Sequence, residues 1–304
     1  MHEPSPHDFL RHDISGTPHA RESLVYHVHL PEEGVLSMYA WVYADGRAEA
    51  ASAFFGPAAG DKAVFEESQA EVMAADADFT DWKVGTFHLT DGDPSTARLQ
   101  LAGARLSVDY HFEAMHPAFL YSTGRADRSE ALPKFAATDR YEQSGRVTGT
   151  IRIDDRTIEF DALGHRDHSW GRRDWLTMQH YKWAAIQAGE SAVNLFYIEG
   201  EGRSWHLGYV FRDGELAAIT HVDVAETYDD RWVQDVVDLE IDDAAGRRTS
   251  VTTTRFGRHE YPVGDGDYKL VDTAVHATIA GQAGVGYLDW GWPRDYLRHL
   301  RSDR

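Results

Sequence analysis

The chain has 304 residues, of which 42% are hydrophobic and 12% aromatic, a composition typical of a folded globular protein. Its 50 acidic and 30 basic residues give a formal net charge of -20, which argues against nucleic acid and anionic membrane surfaces as partners. The absence of cysteine excludes disulfides, thiolate nucleophiles and cysteine-ligated metal centres.

Short runs of alternating apolar and polar residues fill the first half of the chain. They include YHVHL, VLSMYAWVYAD, RLSVDYHFEAM, RVTGTIRID and RTIEFDAL, which are rich in β-branched and aromatic residues. Alternation with period two is typical of strands that bury one face. Turn-forming pairs such as Asp45-Gly46 and Asp154-Asp155 separate the runs. We therefore predict antiparallel strands joined by hairpins.

The second half repeats this pattern in segments such as AVNLFYIEG, RSWHLGYVFRDG, WVQDVVDLEI and KLVDTAVHATI. The number of short strands is too large for one small barrel. We therefore predict an all-β protein of two consecutive antiparallel barrels. The division is placed between residues 165 and 178, which gives an amino-terminal barrel over 1–170 and a carboxy-terminal barrel over 171–304. Helices are expected only around Leu132 to Tyr141 and in the tail, Pro293 to Arg301.

The junction between the predicted barrels carries an unusual concentration of charged and aromatic residues, GHRDHSWGRRDW, from Gly164 to Trp175. It continues the predicted strand RTIEFDAL. If the chain stays extended through Trp170, the odd-numbered residues from 165 face one side and the even-numbered residues face the other. Gly164 and Gly171 could bend the strand and change this arrangement.

Two residues of the junction, Asp167 and His168, are candidates for general acid–base catalysis. A histidine exchanges protons near neutral pH, and an aspartate does so when burial raises its pKa. The competing interpretation is a network of ion pairs with neighbouring arginines that fixes the orientation of the barrels. A metal site formed by His165 and His168 with a distant histidine is weakly supported, because three-residue spacing without a helix does not bring two ligands together.

The run GRVTGTIRIDDRTIEFDALGHRDHSWGRRDW, Gly145 to Trp175, resembles the signature of the AttH-like and carotenoid 1,2-hydratase (hydroxyneurosporene synthase) group. The resemblance implies two lipocalin-like barrels of the calycin type, which agrees with the strand pattern. It also implies chemistry on a small molecule, because characterised relatives hydrate an isoprenoid double bond and others guide cyclisation of polyene natural products.

We therefore expect a hydratase or dehydratase-type lyase that acts on an apolar, isoprenoid or steroid-like molecule. Asp167 would protonate the alkene, and His168 would orient or deprotonate water. Substrate binding is assigned to Arg166 and to the aromatic residues Trp170, Tyr181 and Trp183, whose faces can stabilise positive charge. The alternatives are a lipocalin-like binding protein for a hydrophobic metabolite and a cyclase or isomerase.

Cofactors and location follow from what the sequence lacks. It has no glycine-rich phosphate loop between a strand and a helix, so we expect neither a nucleotide cofactor nor any other, and we assign no metal. The amino terminus has no basic segment followed by an apolar run, and no apolar stretch approaches the roughly 18 residues of a membrane span. A cytoplasmic protein is expected, and the sequence indicates no oligomeric state.

Overall fold

The structure is a computed structural model that describes residues 4–68, 72–74, 76–122, 132–263 and 266–302. Strands dominate it, and the described helices are two short 3-10 turns, Pro6–Phe9 and Pro57–Ala59, and one α-helix, α1 (Arg294–Ser302). The all-β prediction is confirmed. Within the described chain no helix is long and apolar enough to cross a membrane.

The first barrel is an antiparallel sheet of eleven strands. Its strands are β1 (Ala20–Leu30), β2 (Gly34–Tyr43), β3 (Ala48–Phe55), β4 (Val64–Ser68), β5 (Trp82–Val84), β6 (Phe87–Thr90), β7 (Thr96–Ala102), β8 (Leu106–Ala114), β9 (Phe119–Leu120), β10 (Asp139–Ile153) and β11 (Arg156–Arg172). They pair in the order β4-β3-β2-β1-β11-β10-β8-β7-β6-β5, with β9 on β10. The two edges approach each other, and the Ser68 hydroxyl lies 2.9 Å from that of Thr86, so the barrel is nearly closed.

The second barrel is fully closed by eight antiparallel strands. They are β12 (His180–Ala188), β13 (Ser191–Gly200), β14 (Arg203–Arg212), β15 (Glu215–Tyr228), β16 (Gln234–Asp243), β17 (Arg248–Val263), β18 (Tyr268–Ile279) and β19 (Gln282–Pro293). Each strand pairs with its neighbour in sequence, and β19 closes the circle on β12. The change from one sheet to the other falls between Arg172 and His180.

Buried apolar side chains fill the interior of both barrels. Tyr26, Tyr110 and Phe112 lie in the first core, and Leu288 and Trp290 lie in the second. A third apolar cluster joins the outer faces of the two barrels, where aromatic side chains from both sheets pack together. Next to this cluster the structure leaves a space between the two barrels.

Hydrogen bonds across this interface hold the barrels together. The Trp183 indole N–H donates to Glu142 Oε1 at 2.9 Å, and Tyr121 donates to Asn194 Oδ1 at 2.6 Å. The Gln187 amide donates to the Gly145 carbonyl at 3.1 Å. All of these groups are buried, so each bond also satisfies a polar group removed from water.

One of the two predicted helices is correct. The tail forms α1 from Arg294, one residue after the predicted start at Pro293. The segment from Leu132 to Tyr141 is not helical: it forms a turn in which the Ala136 N–H bonds to the Pro133 carbonyl, and β10 begins at Asp139. Pairing of the first β10 residues with β11 and β9 overrides the local helical pattern.

Candidate functional site

Strand β11 carries the charged junction in a fully extended conformation through Trp170. Asp167 and Ser169 project from the outer face of the first barrel towards the second barrel, and both line a cavity there. Arg166, on the opposite face of the strand, points into the first barrel, where it bonds to Asp91 at 2.8 Å. The alternation predicted from the sequence is therefore present, and Gly171, with φ of 112°, follows the extended part.

The cavity between the barrels has a volume of about 90 Å³, which holds several water molecules or the reacting part of a small ligand. Both barrels contribute to its wall. Its buried aromatic side chains are Tyr181, Trp183, Phe196 and Tyr287. The predicted substrate-binding residues Tyr181 and Trp183 thus border the cavity, and so does the predicted catalytic residue Asp167.

Two aspartates, Asp272 and Asp289, face each other on β18 and β19 at the second barrel's side of the cavity. Asp289 lines the cavity, and its Oδ2 accepts a hydrogen bond from the Tyr181 hydroxyl at 2.6 Å. Burial raises the pKa of Asp289 to about 7, although the bonds from Tyr181 and Asp272 and the charges of Arg140 and Arg173 partly offset this effect.

Asp272 is almost completely enclosed, with 1% of its surface exposed. Burial raises its pKa well above the ordinary value, and the charge of Asp289 raises it further. Two buried carboxyls that face each other cannot both ionise readily, because their negative charges repel. They therefore titrate as a pair that shares one proton. Asp289 therefore offers an exchangeable proton at the cavity wall near neutral pH, with Asp272 enclosed behind it.

Asp167 has a different environment, because the Arg140 guanidinium bonds to it directly and also to Glu142. The Glu142 carboxylate also contacts His165 Nε2 at 2.6 Å and accepts a hydrogen bond from the Trp183 indole N–H. A neighbouring guanidinium favours the ionised form of a carboxyl. Asp167, held by this ion pair, is therefore suited to accept a hydrogen bond or to orient a polar group.

His27 also lines the cavity and lies on β1, next to β11. Its Nε2 is 3.2 Å from the Ser37 hydroxyl, and its Nδ1 is buried without a partner among the described residues. Burial lowers its pKa well below the ordinary value, and the charges of His29 and His165 act in the same direction. His27 is thus a neutral imidazole that can hold a water molecule at the cavity.

Three of the predicted site residues lie away from the cavity, on the other face of β11. Arg166 is 1% exposed and also bonds to Gln143 at 2.9 Å. His168 is fully buried, and its Nε2 lies 2.7 Å from Glu22 Oε1. Trp170 stacks on the His12 ring with centroids 3.7 Å apart. None of the three lines the cavity between the barrels.

Two groups among the described residues have ligand atoms within 4.8 Å of one another: His12, Glu22 and His168, and the more exposed His7, Asp8 and His12. In the first group, both imidazoles lie 2.7 Å from the same carboxylate oxygen, Glu22 Oε1. Burial disfavours ionisation of Glu22, but the bonds from His12 and His168 outweigh it and lower its pKa. The first group is internally hydrogen-bonded, so we interpret it as a structural support for Trp170.

The sequence analysis missed the acidic pair and the arginines of the cavity. Asp289 lies in the segment GVGYLDWGW, where Tyr287 and Asp289 share one face of the strand and Leu288 and Trp290 share the other. The signal available in the sequence was an acidic residue two positions from an aromatic residue, on the same buried face of a strand. Only the register of β18 and β19 places Asp272 opposite it.

The fold and the cavity define a double-barrel protein with acid–base groups between its barrels. The chain belongs to the family described as "Domain of unknown function (DUF7064)", whose model matches residues 5–294. No curated protein matches the sequence significantly.

Three solved structures share this architecture. A putative AttH from Nitrosomonas europaea has 14% identity and a TM-score of 0.62, over 95% of this chain and 94% of its own. CghA with Sch210972 has 15% identity and a TM-score of 0.63, over 90% and 88%. Kievitone hydratase from Nectria haematococca has 9% identity and a TM-score of 0.60, over 92% and 90%. At identities of 9 to 15%, the likeness shows the fold alone. The AttH structure agrees in fold with the AttH-like resemblance found in the sequence.

Proposed function

We propose that this protein is a cofactor-independent enzyme that adds water to, or removes water from, a small molecule held between the barrels. The observation that carries the proposal is Asp289, a carboxyl that lines the cavity and has a pKa of about 7. The most effective acid or base has a pKa near the working pH, so Asp289 can donate a proton and take it back.

In the hydration direction, the O–H bond of Asp289 breaks as a C–H bond forms on the substrate's double bond. Water then forms a C–O bond at the adjacent electron-deficient carbon, and its surplus proton returns to the Asp289 carboxylate. The aromatic walls, including Trp183 and Tyr287, can stabilise the positive charge by about 0.5 to 2 kcal/mol per ring. Dehydration is the reverse sequence.

Asp167 and His27 fit the task of positioning the water. The Asp167 carboxylate group, paired with Arg140, can accept a hydrogen bond from it, and the neutral His27 ring can donate or accept another. The role first assigned to Asp167 as proton donor therefore passes to Asp289. We assign His168 no proton transfer with a ligand in this cavity, because it lies on the opposite face of β11.

An isomerase or cyclase is the second candidate. The same acid could protonate a substrate whose cation loses a proton elsewhere, and aromatic side chains such as Trp183 and Tyr287 border the cavity where that cation would form. Two structures of this architecture are named for a hydratase and for a complex with Sch210972, which supports a small-molecule enzyme of either kind.

The test is an untargeted activity screen. A small-molecule extract is incubated with the wild type, with Asp289→Asn and with the control Asp155→Asn, which changes an exposed turn aspartate. We expect the wild type and the control to produce compounds that differ from consumed ones by the mass of one water, and Asp289→Asn to produce none. Products of unchanged mass that take up deuterium from heavy water would identify an isomerase. Equal turnover by Asp289→Asn would reject Asp289 as the acid, whereas no conversion at all would reject the enzyme and favour a binding protein.

A further inference from the structure

Two arginines at the edge of the cavity have no acidic partner. Arg21 lies on β1, and Arg173 directly follows β11, and both side chains line the cavity. Among the described residues no carboxylate oxygen lies within 4.0 Å of either guanidinium. The nearby arginines differ in this respect, since Arg140 is paired with Asp167 and Arg166 with Asp91.

The contacts of these two arginines are aromatic and neutral. The Arg21 guanidinium lies 5.4 Å from the ring centre of Tyr39 and 5.2 Å from that of Trp175. Arg173 lies 5.6 Å from the Trp175 ring and donates to the Ser169 hydroxyl at 3.0 Å. The Nε–H group of each arginine is buried and has no acceptor within the described part of the chain. Aromatic faces stabilise a cation but leave such donors unsatisfied.

The two positive charges also repel each other. Burial lowers the pKa of Arg173 and the charge of Arg21 acts in the same direction, so that the pKa falls to about 10. Asp289 faces this pair but is only partly ionised near neutral pH, so it does not neutralise them. Two guanidinium groups without a carboxylate partner among the described residues are therefore built into the edge of the cavity, next to the proposed acid.

We propose that Arg21 and Arg173 clamp an acidic group of the substrate, which makes the substrate an amphipathic organic acid rather than a wholly apolar molecule. The guanidinium fork matches the two oxygens of a carboxylate. The half-buried arginines would hold this group near the cavity's edge, and the apolar remainder would lie against the buried Trp183 and Tyr287. The inference rests on the proposed function only in taking this cavity as the substrate pocket.

The first test compares compounds that differ in charge alone. Calorimetry at low ionic strength measures binding of benzoate, 2-naphthoate and decanoate, each beside the amide of the same skeleton. We expect the best-fitting carboxylate to bind at least about tenfold more tightly than its amide, as charge-assisted hydrogen bonds require. If no pair shows this preference, whether the compounds bind equally or do not bind, the clamp is rejected.

Variants then show which residues cause the preference for carboxylates. Arg21→Gln and Arg173→Gln should each reduce it about tenfold, whereas Arg172→Gln should leave it unchanged, because the Arg172 guanidinium is on the surface and bonds to Asp174 at 2.7 Å. Without ligand, Arg173→Gln should melt no lower than the wild type, since it removes a repulsion. A preference that persists in Arg173→Gln would overturn the proposal, as would a lower melting temperature together with lost binding of the amides.

The variant Asp289→Asn distinguishes a failure of the arginine clamp from a failure of the proposed acid. The substitution should abolish turnover but preserve the carboxylate preference. Lost preference in the arginine variants with full turnover in Asp289→Asn would reject the acid and retain the clamp. Turnover that depends on Asp289, with no carboxylate preference in the wild type, would reject the clamp and retain the acid.

Discussion

Asp289→Asn should change how the stability of the protein depends on pH. The substitution keeps the shape of the side chain and the acceptor for the Tyr181 hydroxyl, but it removes the carboxyl that titrates. In the wild type this carboxyl has a pKa of about 7, raised from 3.8 chiefly by burial. The folded protein therefore binds this proton more tightly than the unfolded chain does.

The sign and size of the effect follow from linkage. Because the folded pKa is raised, the stabilising contribution is fully present below the unfolded pKa and is lost as pH rises through the folded value. A change in pKa from 3.8 to about 7 corresponds to about 4 kcal/mol. More than half of this is lost between about pH 5 and about pH 8. Asp289→Asn, which has no carboxyl at this position, should lose much less stability over this pH range.

Urea denaturation across this pH range measures the free energy of unfolding of the wild type and of Asp289→Asn. We expect the wild type to lose stability relative to the variant as pH rises, so that the variant is the more stable protein at alkaline pH. Asp155→Asn, in an exposed turn, should follow the wild type. Parallel curves for the wild type and Asp289→Asn would refute the claim that the fold holds this carboxyl protonated.

Two further substitutions test the interface and the closed barrel. Arg140→Met should destabilise the protein by about 3 to 5 kcal/mol in urea titrations, because it leaves both of its carboxylate partners buried and unpaired. An unchanged unfolding midpoint would show that these carboxylates do not depend on Arg140. Gly208→Ala should cost more than about 1 kcal/mol, since φ there is 123° and the added Cβ would lie 2.0 Å from the Asn194 carbonyl oxygen. Gly214→Ala, where no atom lies within 4 Å, should cost less, and equal losses in melting temperature would contradict this reasoning.

The strand content and the two barrels could be predicted because period-two alternation survives along most of the chain. The same alternation correctly divided the junction, with Asp167 on one face of β11 and Arg166 on the other. The helix expected from Leu132 to Tyr141 failed because long-range pairing of β10 decides that segment. The space between the barrels was also unpredictable, since it depends on how two outer faces meet.

The site itself was only partly accessible from the sequence. Tyr181 and Trp183 were identified from their aromatic character, and both border the cavity. Asp289 lies 122 positions after Asp167, and only the fold brings both to one cavity. The free donors of Arg21 could not be inferred either, because a lack of partners is a property of the tertiary structure. Sequence reasoning found the charged motif but not the groups that complete the cavity.

The most direct test of the account is a crystal structure of the protein with the compound that it consumes or produces in the extract screen. We predict that the compound occupies the space between the barrels, with its reacting carbon next to the Asp289 carboxyl and an acidic group on Arg21 and Arg173. A compound bound inside either barrel, or at a surface remote from Asp289, would contradict the account.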